Sequence, residues 1–595
     1  MSTAELIERA LCAPQFVQVR RRLLRQLLES LLYEGVLAAR TTGDGRCAID
    51  GTDEHGSMVC YLFTATRRYG FDRVRLGPQP VLRCAPGGTV EAESTTRLLS
   101  EVRDGLHADE ACLARFAREL EETLVKDALA QYVRAQRGDV LRGADYDTLE
   151  SAITDAHLYH PAYKSRIGFD LEDNLAWGPE FAGAIHPLWL AAHRGVATVA
   201  VSAGLCETAF LREQLGPATV EQFHQRIRRA GADPVHYTLV PVHPWQWRER
   251  VSHVFAALLR NRELIVLGND PHTHLAQQSI RTLACRDVPG RAYLKLSLSI
   301  VNTSDIRVLS PHSVGNAPRI CDWRRGVLAS DAYLRDELRL ILLGEVMGVV
   351  VDQVPVCDLG REDTYGAVAC IWRESLHLYL APGEQAVSFT GLTARELDGT
   401  PLVDPWVRAV GVRRWVEELI AVAVLPLVHL LQRHGIALEA HAQNMILVHS
   451  AGRPRRLAMK DFHNGGRFSR SALADPGRCP ELAGKPAHHT NSLVETDDLD
   501  LVTDFLLDTL CFINLGELAM LLADTYAFSE QAFWAVVRGA IQSYHWRFPE
   551  LANRFALFDV FKPTIAVEKL TTRRLLPDTE LRLHAVPNPL AAGNA

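Results

Sequence analysis

Apolar positions in the first forty residues recur three and four apart. Leu23, Leu24, Leu27, Leu28, Leu31 and Leu32 form one stripe, which predicts an amphipathic helix within 4–40. From 56 to 95 the spacing changes to alternation broken by turn residues, which predicts strands. The charged-and-apolar run over 96–137 returns to helical spacing and predicts one long helix. Residues 293–301, YLKLSLSIV, alternate: Leu294, Leu296, Leu298 and Ile300 share one face, Lys295, Ser297 and Ser299 the other. That pattern predicts a half-buried strand whose polar face carries one ammonium and two hydroxyls. In 444–462 two apolar runs, MILV and RLAM, flank the turn-like SAGRP and predict a hairpin. With the turn centred on Gly452 and Arg453, Asn444 lies opposite Asp461 and Ile446 opposite Met459. The most apolar stretch, Leu419 to Leu431, falls short of the ~20 residues a membrane span needs and contains Pro426, so a buried core helix is expected. Helical stretches follow over 497–546, and the Pro-Gly-rich 475–487 reads as a surface loop.

These elements suggest an α+β chain in three parts: 1–137, 138–345 and a mostly helical 346–595. Hydrophobic residues make up 47% and charged residues 23%, enough for a large core in a globular protein. The net charge of −7 gives no chain-wide footprint for nucleic acid, so an anionic ligand requires a local cluster of cations. MSTAELIERALCAPQF lacks the basic run and apolar core of a secretory signal, and no membrane partner is expected; a cytoplasmic protein is. The twelve cysteines are scattered without a CxxC pair, which reads as reduced usage rather than a disulfide framework or zinc site.

Two groups of residues carry candidate chemistry. The hairpin's open end gathers Asn444 and Asp461, with Glu439, His441 and Gln443 before and His463 after. Asn and Asp oxygens side by side suit a hard cation such as Mg²⁺ against nucleotide phosphates. Kinases use the same logic, but 441–444 reads His-Ala-Gln-Asn and lacks their aspartate base. The second group is cationic: Arg281, Lys295 and Arg307, with the hydroxyls of Ser279, Thr282 and Thr303. Guanidinium forks and an ammonium suit a carboxylate and a triphosphate. HLYHPAYKSRIGF adds His157, His160, Lys164, Ser165, Arg166 and Gly168, which read as an anion-binding loop; a zinc site is rejected because no further ligand stands nearby. VHPWQW reads as packing, with His243 a candidate to face the cleft.

Taken together, HPAYKSRIGF, VPVHPWQW, SIRTL with KLSLSIVNTSDIR, EAHAQN and KDFHNGG occur in order over about 157–467. In this the chain resembles the NRPS-independent siderophore synthetases of the IucA/IucC, or aerobactin-synthetase, type. The resemblance implies a cupped hand of thumb (1–137), fingers (138–345) and palm (346–595), with ATP between fingers and palm. It implies that a carboxylate attacks the α-phosphate of Mg-ATP and that an amine or alcohol then displaces AMP. Ser279, Arg281, Thr282 and Lys295 would hold phosphates, and Arg307, with His160 and Lys164, phosphate or the acid. His441, Gln443 and Asn444 would meet the nucleotide; Glu439, Asn444 and Asp461 would hold Mg²⁺. The catalytic set is thus Arg307, His441, Lys295 and His160, and the acid would meet His160, Lys164, Arg166, Thr303, Arg307 and Lys569. A homodimer is implied by resemblance alone. Many relatives carry Gly-His-Pro-x-His-Pro, where this chain has Ala156-His157-Leu158-Tyr159-His160-Pro161, so the acid is left open among citrate, a citrate derivative and 2-oxoglutarate. The alternatives are a kinase-like small-molecule phosphotransferase forming ADP, and an inactive scaffold that would have lost these charged groups.

Overall fold

A computed structural model describes residues 2–155, 157–303, 305–353, 360–484 and 494–591. The N-terminal stripe forms two helices. Thr3–Leu11 starts on a capping box between Ser2 and Glu5, and Pro14–Tyr33 starts on a proline at its first position. Leu23, Leu24, Leu27, Leu28 and Leu31 are buried against a five-stranded sheet and the next helices. That sheet runs in the order Arg40–Thr41, Cys47–Thr52, Met58–Phe63, Leu82–Ala85, Gly88–Glu91, so strands begin before the expected 56. The expected single helix over 96–137 is three: Thr95–Glu101, Arg103–Leu106 and Glu110–Arg137. His107 turns left-handed at φ 49°, and Asp109 then caps the third helix by accepting from the Cys112 N–H at 2.9 Å. Local polar caps beat the longer periodicity there.

The middle of the chain builds two sheets. Leu188–His193 lies between Tyr237–Val242 and Leu264–Asn269. A six-stranded sheet follows the order His274–Ala276, Thr282–Cys285, Tyr293–Leu296, Ala369–Arg373, Glu345–Val351, Ala197–Val201. Trp189, Leu283, Leu294, Met347, Val349 and Trp372 share one core between the sheets. The expected strand over 293–301 breaks in two. Tyr293–Leu296 stays in the large sheet, while Leu298–Asn302 leaves to pair with Asp305–Arg307. Ser297 makes the break: its hydroxyl donates to the Gly366 carbonyl at 2.6 Å and accepts from the Leu309 N–H at 3.0 Å. Ser299 accepts from Gln246 Nε2 at 2.9 Å. Of the two hydroxyls expected beside Lys295, that of Ser297 therefore serves the backbone and that of Ser299 the Gln246 amide.

The C-terminal part packs helices around a four-stranded sheet, ordered Ile341–Leu342, Arg453–Met459, Met445–Ser450, Gln385–Ser388. Its central hairpin turns on Ala451 and Gly452, both left-handed at φ 49° and 80°, rather than on Gly452 and Arg453. A bulge between Val448 and His449 shifts the register again, so Ile446 faces Ala458 and Met445 faces Met459. Asn444 consequently faces Lys460, whose N–H donates to the Asn444 carbonyl at 3.1 Å, and Asp461 falls one residue beyond. The apolar stretch at 419–431 belongs to a helical run, Val412–His434, that continues past Pro426 and is long and apolar enough to cross a membrane by length and composition; so is Leu499–Tyr526. Length therefore does not separate the first from a span. Burial does, since 72% and 78% of the two apolar windows lie inside the protein. Leu419, Ile420, Leu427, Leu431, Leu506 and Phe512 belong to one large core.

Candidate functional site

A cavity of about 570 Å³ opens where the large sheet, the Leu298–Arg307 hairpin and the C-terminal sheet meet. Its cations come from adjoining elements. Arg281 leads into Thr282–Cys285, Lys295 sits on Tyr293–Leu296, and Arg307 ends Asp305–Arg307. Arg281 donates to the Val308 carbonyl at 2.8 Å and Arg307 to the Asn302 carbonyl at 2.5 Å, bonds that fix the guanidinium planes at the cavity wall. The opposite wall is Glu439, His441, Gln443 and Asn444, in the loop between Ile436–Leu438 and Met445–Ser450. Asn444 Nδ2 donates to Glu439 Oε2 at 3.2 Å, and His441 Nε2 lies 3.9 Å from the same carboxylate.

Asp461 joins the two walls. Its Oδ1 lies 3.0 Å from Lys295 Nζ and 2.6 Å from Arg373 Nη1. Burial pushes its pKa up, but these two charges outweigh burial and hold the carboxyl well below the usual carboxylate range. Burial in turn lowers Lys295, against the pull of Asp461. Behind this group sits Glu345, fully buried on Glu345–Val351. It accepts from the N–H groups of Phe462 and His463 at 3.2 and 2.9 Å and meets His463 Nδ1 at 2.8 Å. Burial opposes its ionisation, yet His463 draws its pKa down to about 2. Three bonds from one carboxylate thus fix the 461–463 turn that carries Asp461.

Some of the left-handed backbone of the described residues lies at this cavity. Arg166, Thr303 and Asp461 line it with φ of 42°, 67° and 66°, and Ile280, at 59°, lies between the lining residues Ser279 and Arg281. Left-handed non-glycine residues are uncommon and persist where the surroundings over-determine them. Gly465 is fixed for another reason: a Cβ there would fall 2.1 Å from the Asp461 carbonyl oxygen.

The cavity brings together Lys164, Arg166, Ser279, Arg281, Lys295, Thr303, Arg307, Glu439, His441, Gln443, Asn444 and Asp461 from the sequence-derived set. It leaves out His160, Thr282 and Lys569. Thr282 is buried and its hydroxyl accepts from Ser279 at 2.7 Å. His160 is buried in a smaller adjoining hollow with Thr390 and Asn514, where burial lowers its pKa to about 3. His157 does reach the main cavity, stands 6.3 Å from the His441 ring, and is likewise lowered to about 3 by burial, then by His441 and Arg307. His243 does not face the cleft: it is fully buried and accepts from the Trp245 N–H at 3.1 Å. Lys164 and Arg166 line the cavity already paired, Lys164 with Asp127 at 2.6 Å and Arg166 with Glu180 at 2.9 Å.

Sequence reasoning passed over Arg373, Glu345, Arg467 and Glu568. The last two line the cavity 3.8 Å apart, and burial raises the Glu568 carboxyl while lowering the Arg467 guanidinium. Glu345 and Arg373 each interrupt an apolar run, LLGEVMGVVV and VACIWRE. A lone charge in a strand that is otherwise buried must have a partner, and that was the available signal.

Residues 145–394 match the IucA / IucC family profile, and 413–583 match that of a ferric iron reductase FhuF-like transporter. The chain is 40% identical to a citryl-spermidine/3,4-dihydroxybenzoyl-citryl-spermidine:spermidine ligase of Bacillus anthracis, over 98% of this chain and 95% of that one. It is 38% identical to the 2-[(L-alanin-3-ylcarbamoyl)methyl]-3-(2-aminoethylcarbamoyl)-2-hydroxypropanoate synthase of Staphylococcus aureus, over 97% and 93%. The crystal structure of the petrobactin biosynthesis protein AsbB from Bacillus anthracis superimposes with a TM-score of 0.93 at 39% identity, over 99% of this chain and 98% of that one. With near-complete coverage at this identity, and with the motif residues converging on one cavity, the chain belongs to the IucA/IucC family of siderophore synthetases.

Proposed function

We propose that this enzyme uses ATP to adenylate a citrate-type carboxylic acid and joins the acyl group to an amine, releasing AMP. The observation that carries the reading is the single cavity in which Arg281, Lys295 and Arg307 face Glu439, Asn444 and Asp461. Cations for a polyphosphate and oxygen donors for a hard metal stand across one space. The relatives named above are a ligase and a synthase that build amides on citrate-type acids. The stretch 441–444 offers no aspartate to activate a hydroxyl, so the phosphotransferase alternative falls away.

In this reading Arg281, Lys295 and Ser279 bind the phosphates, and Arg307 orients the acid or the α-phosphate. Their charges stabilise the negative charge that develops as the carboxylate oxygen attacks the α-phosphorus and pyrophosphate departs. Asp461 keeps Lys295 and Arg373 at fixed positions through that step. His441 and Gln443 face the nucleotide, while His157 and His160, neutral through burial, can donate or accept hydrogen bonds without adding charge. Mg²⁺ fits the oxygens of Glu439, Asn444 and Asp461: Asn444 turns its amide nitrogen to Glu439, which leaves its carbonyl oxygen for a cation. When bound, the ion would screen the phosphate charges. The second half-reaction brings a neutral amine onto the acyl carbon and expels AMP. We further place the enzyme in the cytoplasm as a homodimer without nucleic-acid or membrane partners, its three parts, 1–137, 138–345 and 346–595, acting as thumb, fingers and palm.

The test gives purified protein ATP, Mg²⁺ and hydroxylamine with citrate, 2-oxoglutarate or succinate in turn. Acid-dependent pyrophosphate release with hydroxamate formation is expected, strongest with citrate. ATP consumed only to ADP would sink the ligase reading.

A further inference from the structure

The N-terminal sheet places two thiols together that are far apart in sequence. Cys60 on Met58–Phe63 stands directly opposite Cys84 on Leu82–Ala85 in antiparallel register. Directly opposed residues in such a ladder have Cα atoms ~4.5–5.5 Å apart, inside the ~4.4–6.8 Å that a disulfide spans. Strand alternation sends Val59, Tyr61 and Phe63 to the buried face and Cys60 to the other, where both cysteines are half-buried. Both side chains leave the sheet on the same face, and burial together with the neighbouring Cys84 raises the Cys60 thiol. The same outer row continues on both sides. Asp50 lies opposite Cys60 and pairs with Arg40 at 2.7 Å; Thr89 lies opposite Cys84 and donates its hydroxyl to that sulphur at 3.2 Å. Cys47, on the next strand, packs against the inner core and cannot reach this row.

We infer that Cys60 and Cys84 form a reversible cross-strand disulfide on the outer face of the N-terminal sheet. The oxidant is a low-molecular-weight disulfide. One of the two thiols, as its thiolate, attacks a sulphur of the oxidant and expels one thiol, leaving a mixed disulfide on the protein. The other cysteine then attacks the protein sulphur and expels the second thiol. The protein loses two electrons and two protons, and the oxidant becomes two thiols. A half-exposed disulfide clipped between neighbouring strands belongs to the labile class that cellular thiols reduce again, which suits a chain with otherwise dispersed cysteines. The bond ties Met58–Phe63 to Leu82–Ala85 across a segment that holds the paired strands Ala65–Arg67 and Val74–Leu76, and it lies outside the synthetase cavity.

The full-length protein is incubated with glutathione disulfide, quenched by alkylation and digested for mass spectrometry. A peptide pair joined through Cys60 and Cys84 is expected, lost on adding dithiothreitol. Free thiols counted after denaturation fall by two relative to the reduced protein, beyond any glutathione adducts on the exposed Cys12 and Cys206. Cys47→Ser keeps the linked pair, and either Cys60→Ser or Cys84→Ser abolishes it. Recovery of Cys60 and Cys84 as separate alkylated or glutathionylated peptides from the wild-type protein, while Cys12 and Cys206 are oxidised, would overturn the inference without recourse to any variant.

Discussion

Asp127 and Asp461 are both carboxylates shared between two cations, and what lies on their remaining side sets them apart. Asp127, inside the Glu110–Arg137 helix, meets Arg22 and Lys164 and has a side chain with 0% exposure. Asp461 meets Lys295 and Arg373 but keeps 21% exposure, on a left-handed turn that opens into the cavity. In both, burial pushes the carboxyl pKa up and the two cations pull it down further. The charge arithmetic is the same. At Asp127 every charge is spent on holding the N-terminal helices to the 160s loop. At Asp461 the pairing holds an ammonium and a guanidinium where a ligand can reach their neighbours.

The sharpest break of this comparison exchanges each carboxylate for its amide. Asp461→Asn is expected to cut acid-dependent ATP–pyrophosphate exchange on the order of 10²–10³-fold, the loss seen when one preorganised charge is removed from a reacting centre. Lys295→Ala and Arg307→Ala should lose comparable activity while staying folded. Asp127→Asn removes the carboxylate that Arg22 and Lys164 share and leaves them Asp155 at 3.0 Å and Glu180 at 3.4 Å, which costs about 3 kcal/mol of stability, the low end for a broken buried pair. Its kcat per folded molecule should change little. Thermal unfolding and exchange rates measured on both variants decide it: equal losses of activity at equal Tm would erase the distinction.

A smaller effect comes from moving the Asp461 turn without touching its charge. In Gly465→Ala the new methyl meets the Asp461 carbonyl at 2.1 Å, and backbone cannot yield there without displacing the turn. A displacement near 1 Å costs about 10²-fold in kcat. Unchanged kcat in this variant would show that the position of Asp461 is not critical.

Glu345 tests the support beneath that turn by pH. Its pKa falls from 4.5 to about 2 on folding, because His463 outweighs the burial. A depressed carboxyl stabilises the fold above its unfolded pKa, and that stability is lost as pH falls through the folded one. Between pH 4.5 and 2 the wild type should therefore lose roughly 3 kcal/mol through this group. Glu345→Gln should lack that slope and show kcat about tenfold lower at neutral pH, since His463 loses its charged partner. A variant with the wild-type acid slope would remove Glu345 from this role.

How much of this was readable beforehand follows from the same residues. The stripes that built Pro14–Tyr33 and the hairpin around 445–459 are periodic, and periodicity is local. Lys295, Arg281 and Arg307 stood out as cations in a polar pattern. The register that sets Asn444 against Lys460 was not readable, because a bulge at Val448 adds a residue without changing composition. The break at Ser297 was hidden for a similar reason: alternation continues through it, and only the Gly366 carbonyl and Leu309 N–H, distant in sequence, reveal what the hydroxyl does. Asp127 was invisible as a partner of Lys164, since nothing in a helix of mixed charge marks the one carboxylate that turns inward. Lone charges in apolar strands, Glu345 and Arg373, were legible and were missed.

The mildest test returns to the 160s loop and asks whether its basic residues are committed or available. Lys164 lines the cavity but has only 4% exposure, and it donates to Asp127 at 2.6 Å with Glu180 at 3.4 Å. Both carboxylates keep a second cation when it is removed, Arg22 for Asp127 and Arg166 for Glu180. Lys164→Met, which retains the length of the side chain, should therefore cost about 1.5–3 kcal/mol of stability, the worth of one charged hydrogen bond. The KM for the acid should shift far less than in Arg307→Ala, because the ammonium is already taken. If instead KM rises as much as in Arg307→Ala while Tm holds, Lys164 leaves Asp127 when the acid binds. The paired carboxylate of the Glu110–Arg137 helix would then be a store of charge for the site rather than a fixed strut.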